Sequence, residues 1–208
     1  MTSLSDVAKR WLAALVLTVF AVVIVLIFWQ QELKYTLPTP VPAAYAAVQP
    51  GDAVTLPMSF QKGHAYFIHF YNPDCPCSRF NARHIQSLMQ DHGDSVHFVI
   101  VVANASMIDD ARKALGASLT FVTDHDGAVA KACGVYSTPQ AAIVSGEGTL
   151  FYRGNYNRAR YCTSRATNFA ELSLLALLQH APPPMFGLAA TQSYGCELNA
   201  ADADPIFF

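Results

Sequence analysis

From residue 11 to residue 29 every side chain is apolar or threonine, an unbroken run of nineteen positions. In hydrocarbon the backbone of such a run has only itself to hydrogen-bond with, so it must be helical. At 1.5 Å per residue the helix would be about 28 Å long, close to the thickness of a bilayer core. Residues 11–29 are therefore expected to form one transmembrane helix. Lys9 and Arg10 precede the run and Gln30, Gln31 and Glu32 follow it. This bias places residues 1–10 in the cytoplasm and the rest of the chain on the far, periplasmic side of an inner membrane. A cleaved signal peptide would have a shorter apolar stretch ending in small residues, whereas this one ends Leu26-Ile27-Phe28-Trp29. An uncleaved anchor is the expectation.

The chain has 208 residues, and without anchor and tether roughly 150 remain, the size of one domain with one core. Thirteen Lys and Arg against fifteen Asp and Glu give a net charge of -2. That leaves no basic field of the kind that attracts nucleic acid, so nucleic-acid binding is set aside. All five cysteines, Cys75, Cys77, Cys133, Cys162 and Cys196, follow the anchor. On the oxidising side of a membrane they can hold disulfides. The odd count leaves one thiol over, and any four cysteines allow three pairings that sequence cannot rank.

Three prolines, Pro38, Pro40 and Pro42, predict a stiff extended spacer after the anchor, within a tether and lead-in over residues 30–60. At most one edge strand is expected there, at residues 53–56. The folded core is expected over residues 61–181, and residues 182–208 read as an irregular tail with little periodicity. Within the core, residues 65–71 form a nearly continuous aromatic and β-branched run, as in a strand covered on both faces. The turn Asn72-Pro73-Asp74 ends it. Phe80, His84, Ile85, Leu88 and Met89 then recur at helical spacing to about residue 90. The pattern continues as strand 96–102, helix 108–115, strand 119–122, short helix 129–135, and a hairpin of 140–144 with 149–153 around Gly146-Glu147-Gly148. A final helix over 166–178 is expected to bury a stripe of Phe169, Leu172, Leu175 and Leu178. Alternation of this kind predicts an α/β fold with a mixed sheet and helices on both faces.

Cys75-Pro76-Cys77 falls between a buried strand and the start of a helix, where backbone N–H groups and the helix dipole favour a thiolate. That is what thiol–disulfide exchange requires. The segment Phe70-Tyr71-Asn72-Pro73-Asp74-Cys75-Pro76-Cys77-Ser78-Arg79 resembles the active-site segment of membrane-anchored thioredoxin-like and redoxin proteins. Thr138-Pro139, just before a strand, resembles the loop where those folds set a cis-proline against the active cysteine. Tyr156-Asn157-Arg158-Ala159-Arg160-Tyr161-Cys162 and Tyr194-Gly195-Cys196 resemble segments of a bacterial redoxin-like branch, so the resemblance spans most of residues 65–198.

The resemblance implies a thioredoxin-like mixed sheet and a membrane-anchored thiol–disulfide oxidoreductase acting on cysteine-containing proteins, without a cofactor. Cys75 matches the exposed attacking cysteine. Pro139 would shape the docking groove and leave the Thr138 backbone free to pair with a substrate chain as an added strand. The motif departs from thioredoxin because one residue, not two, separates the cysteines, and Ser78 stands at the usual second position. The partner of Cys75 is therefore open. Cys77 would close a small strained ring and resolve the exchange, or Cys162 or Cys196 would do so. Cys162 and Cys196 are also the candidates for a structural disulfide pinning the tail, the reading given more weight for that pair.

Cys133 is expected to be a buried, inert thiol. Arg79 and Arg83 are candidates to steady a thiolate or an anionic substrate, with a solvated helix face the plainer expectation. His69 and His84 read as hydrogen-bonded core residues. A peroxidase of the peroxiredoxin kind is disfavoured because Asn72 stands three positions before Cys75, where those proteins carry Thr or Ser. A copper-binding or copper-delivery domain, using closely spaced thiolates and a histidine, and a non-catalytic redoxin-like domain are the alternatives from other classes.

Overall fold

The computed structural model describes residues 5–31, 37–58, 60–158 and 164–198. It divides into two compact units with the boundary between Leu37 and Pro38. The first unit contains a single helix, α1 (Asp6–Gln31), and none of its most apolar stretch is buried within the protein. It is long and apolar enough to cross a membrane.

The second unit holds a five-stranded sheet. Its elements in chain order are β1 (Tyr66–Phe70), α2 (Pro76–His92), β2 (His97–Val102), α3 (Ile108–Leu115), β3 (Thr120–Thr123), α4 (Ala128–Cys133), β4 (Ser137–Thr138), β5 (Gln140–Val144), β6 (Leu150–Gly154), α5 (Phe169–Leu178), α6 (Leu188–Thr191) and β7 (Cys196–Glu197). The strand order is β3-β2-β1-β5-β6. β1, β2 and β3 run parallel, joined by α2 and α3, and β5 and β6 add an antiparallel hairpin on the other side of β1. This is the thioredoxin-like mixed sheet with helices on both faces.

Period-two alternation sorts the strand side chains into two layers. Phe67 and Tyr71, Phe98, Ile100 and Val102, and Ala141 and Ile143 pack with Ile85 and Leu88 of α2, Ala111 and Leu115 of α3, and Phe169, Ala170 and Leu174 of α5. Tyr66, Ile68 and Phe70, Val99 and Val101, and Ala142 and Val144 face the opposite way onto Val129, Ala130 and Cys133 of α4. β1 is thus buried on both faces at the centre of the sheet, which explains its unbroken apolar composition. Asp124 starts α4 by accepting hydrogen bonds from the Val129 and Ala130 N–H groups, both at 2.8 Å.

Two expectations change at this level, and a third, at most one edge strand over residues 53–56, comes out as none. The inward side of α5 is Phe169, Ala170, Ser173 and Leu174, while Leu172, Leu175 and Leu178 are half-buried. A helix this apolar all round carries no stripe that fixes its rotation. Residues 53–56 form no strand, only a bridge between Ala53 and Thr149. The proline spacer does not stay clear of the domain: Pro38 bridges Tyr194, and the Thr39 N–H donates to the Ser193 carbonyl at 2.8 Å.

Candidate active site

β1 delivers the chain to the C-terminal edge of the sheet, where the Tyr71 N–H still donates to Val101. Asn72, Pro73 and Asp74 make the turn, with the Asn72 side chain accepting from the Asp74 N–H at 2.8 Å. Cys75 is then the N-cap of α2, with Pro76 at the first helical position and no side chain capping the first turn. Its sulfur therefore sits at the positive end of a 17-residue helix.

A relay of hydroxyls fixes this turn against the β4 loop. The Thr138 hydroxyl donates to the Phe70 carbonyl at 3.0 Å, the Ser78 hydroxyl lies 2.9 Å from Thr138 Oγ1, and the Asn72 N–H points at Ser78 Oγ at 3.4 Å. Ser78 and Thr138 are both fully buried. Ser78, which stands where thioredoxin motifs have their second cysteine, thus ties the helix that Cys75 caps to the proline loop. The Thr138-Pro139 peptide bond is cis, and Cys75 Sγ lies 3.6 Å from the Thr138 carbonyl oxygen.

Cys75 is bonded to Cys196, 121 residues away in sequence. This corrects two expectations. Cys196 does not pair with Cys162 as a structural pin, and Cys75 does not close a ring with Cys77. Cys162 and residues 159–163 around it lie outside the described residues. Cys77, one residue into α2, is 3 % exposed.

The third correction concerns access: Cys75 was expected to be exposed and is 1 % exposed, because the tail of the same chain lies over it. β7 pairs antiparallel with β4, Cys196 opposite Thr138 and Glu197 opposite Ser137. The tail therefore occupies the edge of Thr138 on which the resemblance implies an added substrate strand. Backbone pairing sets the register and places the Cys196 sulfur on Cys75.

The tail is positioned by residues that no local motif marks. The Asn155 side chain donates to the carbonyls of Ala189, at 3.0 Å, and Gln192, at 2.6 Å, and its N–H donates to Ala190. Gln140 Nε2 donates to Ser193 Oγ at 2.8 Å. A Cβ at Gly154 would overlap the Ala190 carbonyl oxygen, so glycine permits α6 to dock there. These contacts join residues far apart in the chain. The only signal for them in the sequence was the Tyr194-Gly195-Cys196 interruption of an otherwise small and polar tail.

Of the other candidates, Arg79 and Arg83 are exposed on α2. Cys133 is fully buried, and burial with Asp124 nearby pushes its thiol up to about 12, so it stays protonated and inert. His69 is fully buried with Nδ1 2.7 Å from the Tyr156 hydroxyl, and burial brings its imidazole down to about 3. His84, half-buried against the edge of Tyr156, is lowered by burial as well, with Glu171 opposing. Among the described residues no group of three His, Cys, Asp or Glu side chains is arranged to hold a metal ion.

The parallel β1-β2-β3 sheet with its antiparallel hairpin, the cysteine at the start of α2 and the cis-proline loop beside it define a thioredoxin-like domain. Residues 46–198 match the model of the family described as a domain of unknown function, DUF6436. The chain belongs to that family. No curated protein matches it. Among solved structures it is similar to an uncharacterized conserved protein from Geobacillus kaustophilus at 20% identity and TM-score 0.59, over 81% of this chain and all of that one. The hypothetical protein SMc02350 from Sinorhizobium meliloti 1021 is 18% identical with TM-score 0.58, over 74% of this chain and 96% of its own. A secreted Mycobacterium tuberculosis disulfide oxidoreductase homologous to E. coli DsbE is more distant, at 21% identity and TM-score 0.42 over 54% of this chain and 79% of its own.

Proposed function

We propose that this protein is a membrane-anchored thiol–disulfide oxidoreductase whose redox couple is Cys75 and Cys196. The observation that carries the reading is the disulfide between a cysteine at the start of α2 and a cysteine on a strand paired to Thr138. It has the form of a substrate mixed disulfide, made within one chain. Two electrons and two protons passing from a partner's dithiol to the Cys75–Cys196 bond would leave the partner with a disulfide and this chain with two thiols. The reverse reaction would reduce a partner's disulfide and restore the bond. A disulfide or dithiol protein on the same side of the membrane would reset the site.

In this reading α1 anchors the domain in the inner membrane with the couple on the periplasmic side, where the bond persists. Thr138 and Pro139 present the docking edge, and Arg79 lies one turn along α2. Cys77 serves as a second, buried thiol behind the couple. The copper reading would use the Cys75 sulfur as a ligand in the reduced chain, whereas the bond to Cys196 is what favours exchange here.

The test is equilibration of the full chain with reduced and oxidised glutathione at graded ratios, followed by alkylation and mass measurement. The bond should open and re-form reversibly. Cys75→Ser and Cys196→Ser, tested in turn, should capture cysteine-bearing periplasmic proteins on the surviving cysteine of the couple. A bond that a large excess of glutathione leaves intact, together with no captured partner, would rule the oxidoreductase out.

A further inference from the structure

We infer that Cys196, not Cys75, is the sulfur that an incoming thiolate attacks, so that the tail is a shuttle arm rather than a plug. The inference rests on the oxidoreductase reading above and assigns the order of events within it.

Access points to Cys196 first. Cys75 is 1 % exposed, whereas both residues of β7 are only half-buried. Direction adds to this. Displacement at sulfur needs the nucleophile in line with the bond being broken, on the side away from the leaving sulfur. For Cys75 that approach must reach a residue that is 1 % exposed, its sulfur 3.6 Å from the Thr138 carbonyl oxygen. For Cys196 it must reach a residue that is only half-buried. The leaving group favours the same sulfur: charge that develops on Cys75 as it departs meets a helix start that no side chain caps. Cys196, the first residue of a two-residue strand, is not itself the cap of a helix.

The partner's thiolate forms a bond to Cys196 Sγ, the Cys75–Cys196 bond breaks, and Cys75 departs as a thiolate. One disulfide replaces another: the partner's first sulfur is oxidised as Cys75 is reduced. The partner's second thiolate then attacks the partner sulfur of that mixed disulfide, and Cys196 leaves and takes up a proton. The partner has lost two electrons and the couple has gained them.

The anchor for this arm is Ser193, held by Gln140 and Thr39. Tyr194 and Gly195 are held as well, by Pro38 and Thr39, and β7 by β4. Cys196 is therefore freed to meet a partner once the bond is open and the β4–β7 pairing lets go. Cys75 receives the arm back when the couple closes.

The experiment uses the oxidised full chain and 2-mercaptoethanol, a neutral monothiol, at less than one equivalent. Samples are quenched in acid within the first few per cent of reaction, alkylated under denaturing conditions with a maleimide, and mapped by peptide mass. The expected result is mercaptoethanol on Cys196 and maleimide on Cys75, at least tenfold over the reverse arrangement. Mercaptoethanol first on Cys75, or on any cysteine other than Cys196, overturns the shuttle arm and leaves the oxidoreductase reading standing. A bond that the thiol does not open at any excess removes both.

Discussion

Gly195 has φ +140°, and a Cβ there would overlap the Thr138 carbonyl oxygen. Only glycine lets the tail come this close to the proline loop. In Gly195→Ala the β4–β7 pairing should loosen by about 1–2 kcal/mol, the usual cost of this backbone region for a residue with a side chain. The equilibrium constant for closing the Cys75–Cys196 bond against glutathione should drop roughly 5- to 30-fold, and an unchanged constant would show that the close approach does not matter. His69 sets a pH dependence at the same scale. Its imidazole is held down to about 3 by burial, while in the unfolded chain it protonates near 6.5. Between those values the unfolded state binds the extra proton, so stability is intact above about pH 6.5 and is lost as pH falls, at up to roughly 1.4 kcal/mol per unit. His84 acts in the same direction. Urea midpoints between pH 7 and 4.5 should decline more steeply for the native chain than for His69→Gln, and equal slopes would contradict the assignment.

Elements with their own period were legible from the sequence, and those defined by a distant partner were not. β1 and α2 are marked by an unbroken apolar run and by 3.6-residue spacing, so the turn that carries Cys75 fell where expected. β7 has two residues, and its partner Thr138 lies some sixty positions earlier, so no window of sequence contains both halves of the pair. The partner of Cys75 was hidden for the same reason, since cysteine spacing allows several pairings and only the register of β7 on β4 selects one. α6 is likewise fixed from outside, by Asn155. Removing that clamp in Asn155→Ala leaves two side-chain contacts to the tail unmade, those to the Ala189 and Gln192 carbonyls, and keeps the backbone bond to Ala190. The prediction is faster amide exchange at residues 188–198 and a lower fraction of closed bond at a fixed glutathione ratio. Exchange confined to residue 155 would show that α6 docks without it.

For the whole molecule the disulfide joins β7 to the start of α2 across 121 residues. Closing a loop of that length stabilises a domain by roughly 2–4 kcal/mol through the unfolded chain. Reduction should therefore lower the unfolding free energy by about that amount while leaving the sheet folded, because among the described tail residues Ala190 is the one hydrophobic residue fully buried in the core, with Phe186 and Leu198 packed against it in part. Circular dichroism followed through urea titration, with and without reductant, reads both quantities. Complete unfolding on reduction would make the bond a structural staple and not an exchanging pair. The central question is which cysteine Cys75 holds in the native protein. Extraction with thiols blocked, proteolysis without reductant and mass mapping of linked peptides answer it: a peptide joining Cys75 to Cys196 is predicted, and one joining Cys75 to Cys77, or Cys196 to Cys162, would contradict it.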